Sequence, residues 1–212
     1  MDFARTLCVC CLSLVLVVPG VFAVSAPEPV FASLREQIDW YESAAQTGEV
    51  AAQYRVALLY ADDDSVYRNS IKARHWLREA ARQGHAQAAF ELAQLYHNGQ
   101  KTRPDFEQAS HWYQQAAQAQ HAAAQLNLAA MYETGQVDGT QDLAMAAHWY
   151  GQAAAQGSSE AQLRMGNLLI QQHGMADGHL LAVEWFAAAC DGGSNEGCEL
   201  YEVLHGFIER SR

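Results

Sequence analysis

The residues of this chain most able to do chemistry are its nine histidines and five cysteines. His75, His111 and His148 each precede a tryptophan, at steps of 36 and 37, and so form a column. His85 and His121 recur in the same way. Zinc holds histidine nitrogens at about 2.0–2.1 Å, whereas packed helices stand about 8–10 Å apart. One column therefore cannot close on one ion. Surface or helix-capping histidines are expected, with no metal site and no cofactor. The chain also lacks His-Glu-x-x-His, a Gly-rich phosphate loop, Gly-x-Ser-x-Gly and Ser-x-x-Lys. No catalytic residue is assigned, and the chain is not expected to be an enzyme.

The cysteines fall in two groups. Cys8, Cys10 and Cys11 lie inside the apolar run Leu7–Val18, which follows Arg5 and ends at Pro19-Gly20. Val21-Phe22-Ala23 then offers small residues for cleavage. That layout predicts a secretory signal peptide over 1–23, with the mature chain starting at Val24. A cut after Ala26 would place Pro27 just past it. An uncleaved anchor is the alternative, although the run of 12 falls short of the roughly 20 residues a spanning helix needs. No membrane span is expected after cleavage. Cys190 and Cys198 remain, and an even pair in an exported chain points to a disulfide; two packed free thiols are the alternative. The expected place is the periplasm, with secretion into the medium not separated from it.

The charge narrows the partner. Thirteen basic residues against 24 acidic give −11, and loss of Arg5 with Asp2 leaves it unchanged. Nucleic acid is excluded as a partner, because phosphate binding relies on clustered Lys and Arg.

The elements that position these residues are set by a ruler. Trp40, Trp76, Trp112, Trp149 and Trp185 follow one another at steps of 36, 36, 37 and 36. Such a period means a repeat array. Around each Trp the same grammar returns: an alanine three residues before (Ala73, Ala109, Ala146, Ala182), a small pair four and five after (such as Ala80-Ala81 and Ala116-Ala117), and Gly48, Gly84, Gly157 and Gly193 eight after, with Gln120 the exception. This predicts a helix whose C-terminus needs a left-handed residue. A second helix follows, with Gln53, Gln125 or Gln162 near its start, then a small residue (Ala57, Ala93, Ala129, Gly166) and Tyr60, Tyr96, Tyr132 or Leu169. Small residues let antiparallel helices approach closely, and the Trp and Tyr side chains are expected in the core. A lone helix opens the array (about Leu34–Gln46) and a lone partner closes it (about Asn195–Ile208), which makes ten helices. Residues 24–33 are expected to be a flexible lead, and 34–209 the array: about four full repeats with half-repeats at both ends.

Together, A-x-x-[LM]-[GA]-x-x-Y-x-x-G and D-x-x-x-A-x-x-W-x-x-x-A-A-x-x-G can be read in Ala89–Gly99 with Asp105–Gln120, and in Gln125–Gly135 with Asp142–Gly157. This resembles the Sel1-like repeat, a relative of the tetratricopeptide repeat, over about Leu34–Leu204. The resemblance implies an all-α solenoid of antiparallel helix pairs in a right-handed superhelix. It also implies that a Cys190–Cys198 bond ties the two helices of one pair, as in secreted cysteine-rich bacterial proteins. A loop of this length would contribute roughly 2–3 kcal/mol. Glu202, where a small residue is usual, suggests a polar cap at that end.

Function is expected on the surface. The second helices disagree at Arg55, Glu91, Asn127 and Arg164, and again one turn on at Leu58, Gln94, Ala130 and Asn167. These positions share a helix face and would line the concave stripe on which such solenoids bind. A merely solvated face is the alternative. The expected function is an interaction module or scaffold for another protein in the bacterial envelope. Two other readings follow from the resemblance: a periplasmic immunity protein that neutralises a secreted toxin such as a lipase effector, and an enzyme acting on β-lactams or peptidoglycan, against which the missing serine motif counts.

Overall fold

A computed structural model describes residues 30–99 and 103–210, with the side chains of 175–177 left out. The described residues form helices and no strands: α1 (Leu34–Gln46), α2 (Val50–Ala61), α3 (Ser70–Arg82), α4 (Ala86–Asn98), α5 (Phe106–Gln118), α6 (Ala122–Thr134), α7 (Leu143–Ala155), α8 (Ser159–Asp191) and α9 (Asn195–Arg210). The long α8 is two helices joined across Gly174, whose φ of 71° and ψ of 174° are not helical. Its arms, 159–173 and 175–191, bring the number of helices to the ten expected. Each helix packs on its neighbours in sequence, as in a solenoid. The segment read as a signal peptide, 1–23, lies outside the described residues.

One turn, used five times, sets the pairing. After α1 the Glu49 N–H donates to the Ala44 carbonyl (3.3 Å) and the Gly48 N–H to that of Ala45 (3.0 Å). His85 with Gly84, His121 with Gln120, Ser158 with Gly157 and Ser194 with Gly193 repeat this pattern on their own small pairs. This is the glycine-dependent closure of a helix C-terminus. Gly48, Gly84, Gly157 and Gly193 have φ between 85° and 93°, and Gln120 takes the same region at 63°. At every one of these turns but the first, where Glu49 makes no such bond, the side chain of the residue that closes one helix also caps the next. The Nδ1 of His85 accepts from Ala88 N–H and that of His121 from Ala124 N–H, both at 3.2 Å, while Ser158 caps α8 through its hydroxyl. Asp105 and Asp142 cap α5 and α7 in the same manner.

The buried glutamines bind turn to turn. Gln53 and Gln125 are almost fully buried. Their amides donate to the carbonyls of Ala45 (3.3 Å) and Ala117 (3.0 Å), the second alanines of the preceding pairs. Their own carbonyls accept from Gln83 and Gln156, at the ends of α3 and α7, both at 2.7 Å. A buried amide satisfied on both sides fixes the register between repeats. The main core runs from Ile38 to Leu168, and a smaller cluster of Leu163, Ala182, Phe186, Ala189 and Leu204 lies beneath α9.

The ends differ from the sequence expectation. Trp76, Trp112 and Trp149 are buried, but Trp40 is 42% exposed. No earlier repeat covers it among the described residues; instead Phe31 packs on its ring at 5.7 Å. The helix α1 is held by a closed triangle: Lys72 Nζ donates to Glu42 Oε1 and to the Tyr60 hydroxyl, which donates to Glu42 Oε2, all at 2.9 Å. At the other end Glu202 is exposed as expected of a polar cap, but so are Val203 (65%) and Phe207 (52%). That helix is polar only on part of its outer surface. Among the described residues no helix is long and apolar enough to cross a membrane.

Candidate functional site

The eight stripe residues stand on four equivalent helices. Arg55 and Leu58 lie on α2, Glu91 and Gln94 on α4, Asn127 and Ala130 on α6, and Arg164 and Asn167 on the first arm of α8. Arg55, Arg164 and Asn167 are exposed, and the other five are half-buried. Three of them, Asn127, Ala130 and Arg164, meet in a groove of about 340 Å³ between α6, α7 and α8. The other five lie outside it.

Polar groups that neighbouring elements supply shape this groove. Tyr150 on α7 donates its hydroxyl to Glu133 Oε2 at 2.6 Å. Burial first, and then that carboxylate, push the Tyr150 hydroxyl far above its ordinary value, so it remains a donor. Arg164 Nε donates to Glu160 at 2.8 Å, which anchors the guanidinium at the rim. Asn127 reaches the Tyr113 hydroxyl at 3.5 Å. The groove thus presents two carboxylates, one guanidinium and amide groups (Asn127, Gln141, Gln171) over a half-buried Leu126. That set can bind a peptide's backbone and charged side chains.

Sequence reasoning missed Glu133, Glu160 and Tyr150. Glu133 had a signal, because its equivalents are Ala61, His97 and Ile170, a position as variable as the stripe itself. Tyr150 stood in the row of aromatics assigned to the core. It is indeed buried, and only its hydroxyl serves the groove.

Further along the face, Glu91 gathers groups from two repeats. The Tyr54 hydroxyl donates to its Oε1 at 2.6 Å and the Gln87 amide at 3.1 Å. Gln87 accepts in turn from Nε2 of His121 at 2.8 Å. Since Nδ1 of His121 accepts a backbone N–H, the proton sits on Nε2. His85 and His121 stack on Tyr54 and Phe90 at 4.5 and 4.6 Å. The column of His75, His111 and His148 is exposed, each ring edge-on to its own tryptophan. Among the described residues no group of three metal-ligating side chains gathers. Cys190 and Cys198 are joined in a disulfide, with Cα atoms 4.5 Å apart, tying the second arm of α8 to α9.

A stack of near-identical helix pairs with a polar groove on one face defines an α-solenoid that works by surface contact. The chain belongs to the Sel1 repeat family, whose family model matches 50–85, 86–121, 122–158 and 159–194 in succession. Repeats of this family serve as protein-interaction modules. A solved protective antigen of uropathogenic Escherichia coli strains, described as having an SLR fold, is 31% identical. The match covers 76% of this chain and 34% of that one, with a TM-score of 0.67. This chain therefore spans about a third of that relative. A Sel1 repeat protein from Oxalobacter formigenes is 27% identical over 77% of this chain and 67% of its own, also with a TM-score of 0.67. No curated protein matches the chain.

Proposed function

We propose that this chain is an exported, non-catalytic scaffold of the bacterial envelope that holds a partner protein along the face of α2, α4, α6 and the first arm of α8. The observation that carries this reading is the groove in which Asn127, Ala130 and Arg164 meet Glu133 and Tyr150. Donors and acceptors already oriented by hydrogen bonds lose little entropy when a partner arrives. The disulfide supports an oxidising compartment, and the periplasm is the proposed one.

The test is in vivo crosslinking of the tagged chain, followed by capture from the envelope fraction. A single stoichiometric partner, lost when Asn127 and Arg164 are both replaced by Ala, is the expected result. A partner that survives both replacements contradicts the groove. A secreted toxin as that partner would turn the scaffold into an antidote acting through the same face. N-terminal sequencing of the captured chain should begin at Val24. Hydrolysis of nitrocefin by the purified chain would contradict the non-catalytic reading.

A further inference from the structure

The variable stripe does not stop at α8. One 36-residue step beyond Arg164, Asn167 and Gln171 stand Leu200, Val203 and Phe207 of α9. They share one helix face. The same rows in earlier repeats hold mostly polar residues: Arg55, Glu91 and Asn127 in the first, Asp62, Asn98 and Thr134 in the last. Only in α9 are all three positions large and apolar. Leu200 is half-buried, whereas Val203 is 65% and Phe207 52% exposed. Phe207 meets the His179 ring edge-on at 5.3 Å. The next two residues, Leu180 and Leu181, are 55% and 50% exposed. An apolar patch therefore extends the row in which Thr134 and Gln171 line the groove.

The charge around this patch selects its occupant. Glu196, Glu199, Glu202 and Glu209 lie on the same helix and are exposed, with Arg210 and His205, 3.9 Å from Glu209, as their basic counterparts there. A second α9 would bring its own glutamates against these, and like charges at an interface repel. An anionic bilayer is disfavoured for the same reason. We propose that α9 is an anchoring subsite for a partner segment carrying a large apolar side chain flanked by Lys or Arg. This rests on the reading of the stripe as the partner-binding face. The apolar side chain seats on Val203 and Phe207, and the basic groups meet the surrounding carboxylates. Such apolar anchors ringed by polar contacts carry much of the affinity of protein interfaces.

The test is panning of random displayed peptides against the disulfide-bonded chain. The enriched peptides are then titrated by fluorescence polarisation against folded variants checked by circular dichroism. The expected peptides pair an aromatic or Leu with Lys or Arg and bind more weakly as salt rises. Their affinity falls about tenfold on V203S/F207S and severalfold on E199Q/E202Q. Peptides that respond to N127A/R164A but not to V203S/F207S would overturn the subsite and leave the stripe standing. Peptides that respond to neither, or no enrichment, would overturn both. Concentration-dependent dimerisation abolished by F207S would assign the patch to a second copy and overturn the proposal. So would cosedimentation with phosphatidylcholine vesicles abolished by F207S.

Discussion

Two residues carry more than the repeat grammar asks of them. Gln120 takes the left-handed conformation that glycine takes at the equivalent turns. An L side chain there costs about 1 kcal/mol. Gln120→Gly should therefore stabilise the chain by about that much, visible as a higher denaturation midpoint. His121 closes α5 with its N–H and caps α6 with Nδ1. Burial holds its imidazole below the ordinary value, with the nearby Glu91 opposing. A lowered folded pKa means that the unfolded chain takes up the proton first. The stabilisation is complete above the unfolded value of about 6.5 and is lost as the pH falls below it toward the folded value. His121→Ser keeps a capping oxygen, as Ser158 does, and removes the titration. Thermal midpoints measured across that range should fall less steeply with acid in the variant than in the parent. Parallel curves would show that the imidazole does not report on stability.

At the scale of the element, small residues do different work according to what faces them. A Cβ at Gly166 would stand 2.5 Å from Phe186 Cε1, whereas one at Gly151 would meet nothing within 4 Å. Gly166→Ala should destabilise by about 1–3 kcal/mol through overpacking. Gly151→Ala, inside α7, should stabilise by about 0.5–1 kcal/mol. Chemical denaturation of the two variants checks the contrast. The helix α9 packs chiefly on α8, so the Cys190–Cys198 bond matters most there. Replacing both cysteines by Ser should cost about 2–3 kcal/mol, and hydrogen exchange should show α9 opening before the central pairs. These elements were legible in the sequence because the period, the small pairs and the turn glycines all repeat. The shortness of the link between the two arms of α8 was not. The backbone at Gly174 joins two helices where the other repeats have longer connections, and Gly178 lies where a Cβ would be 2.8 Å from the Ile170 backbone. That close approach depends on tertiary packing, which a local pattern does not encode.

At the scale of the molecule, the packing of each helix on its neighbours in sequence makes a solenoid and leaves variation to its surface. The tryptophan ruler predicts the solenoid, and the rows of disagreement predict a face on the second helices. They do not predict which part of that face is recessed. The groove depends on Tyr150 reaching back 17 residues to Glu133, and no periodic signal records a hydrogen bond across elements. Nor does the grammar reveal that the last copy of the stripe turns apolar and exposed at Leu200, Val203 and Phe207, since Glu202 in that helix reads as a polar cap. The most direct test of the account is hydrogen exchange on the chain alone and on the chain with its captured partner. Slowed exchange confined to α2, α4, α6, the first arm of α8 and α9 is the predicted result. Protection confined to α3, α5 and α7, with these helices unchanged, would contradict it.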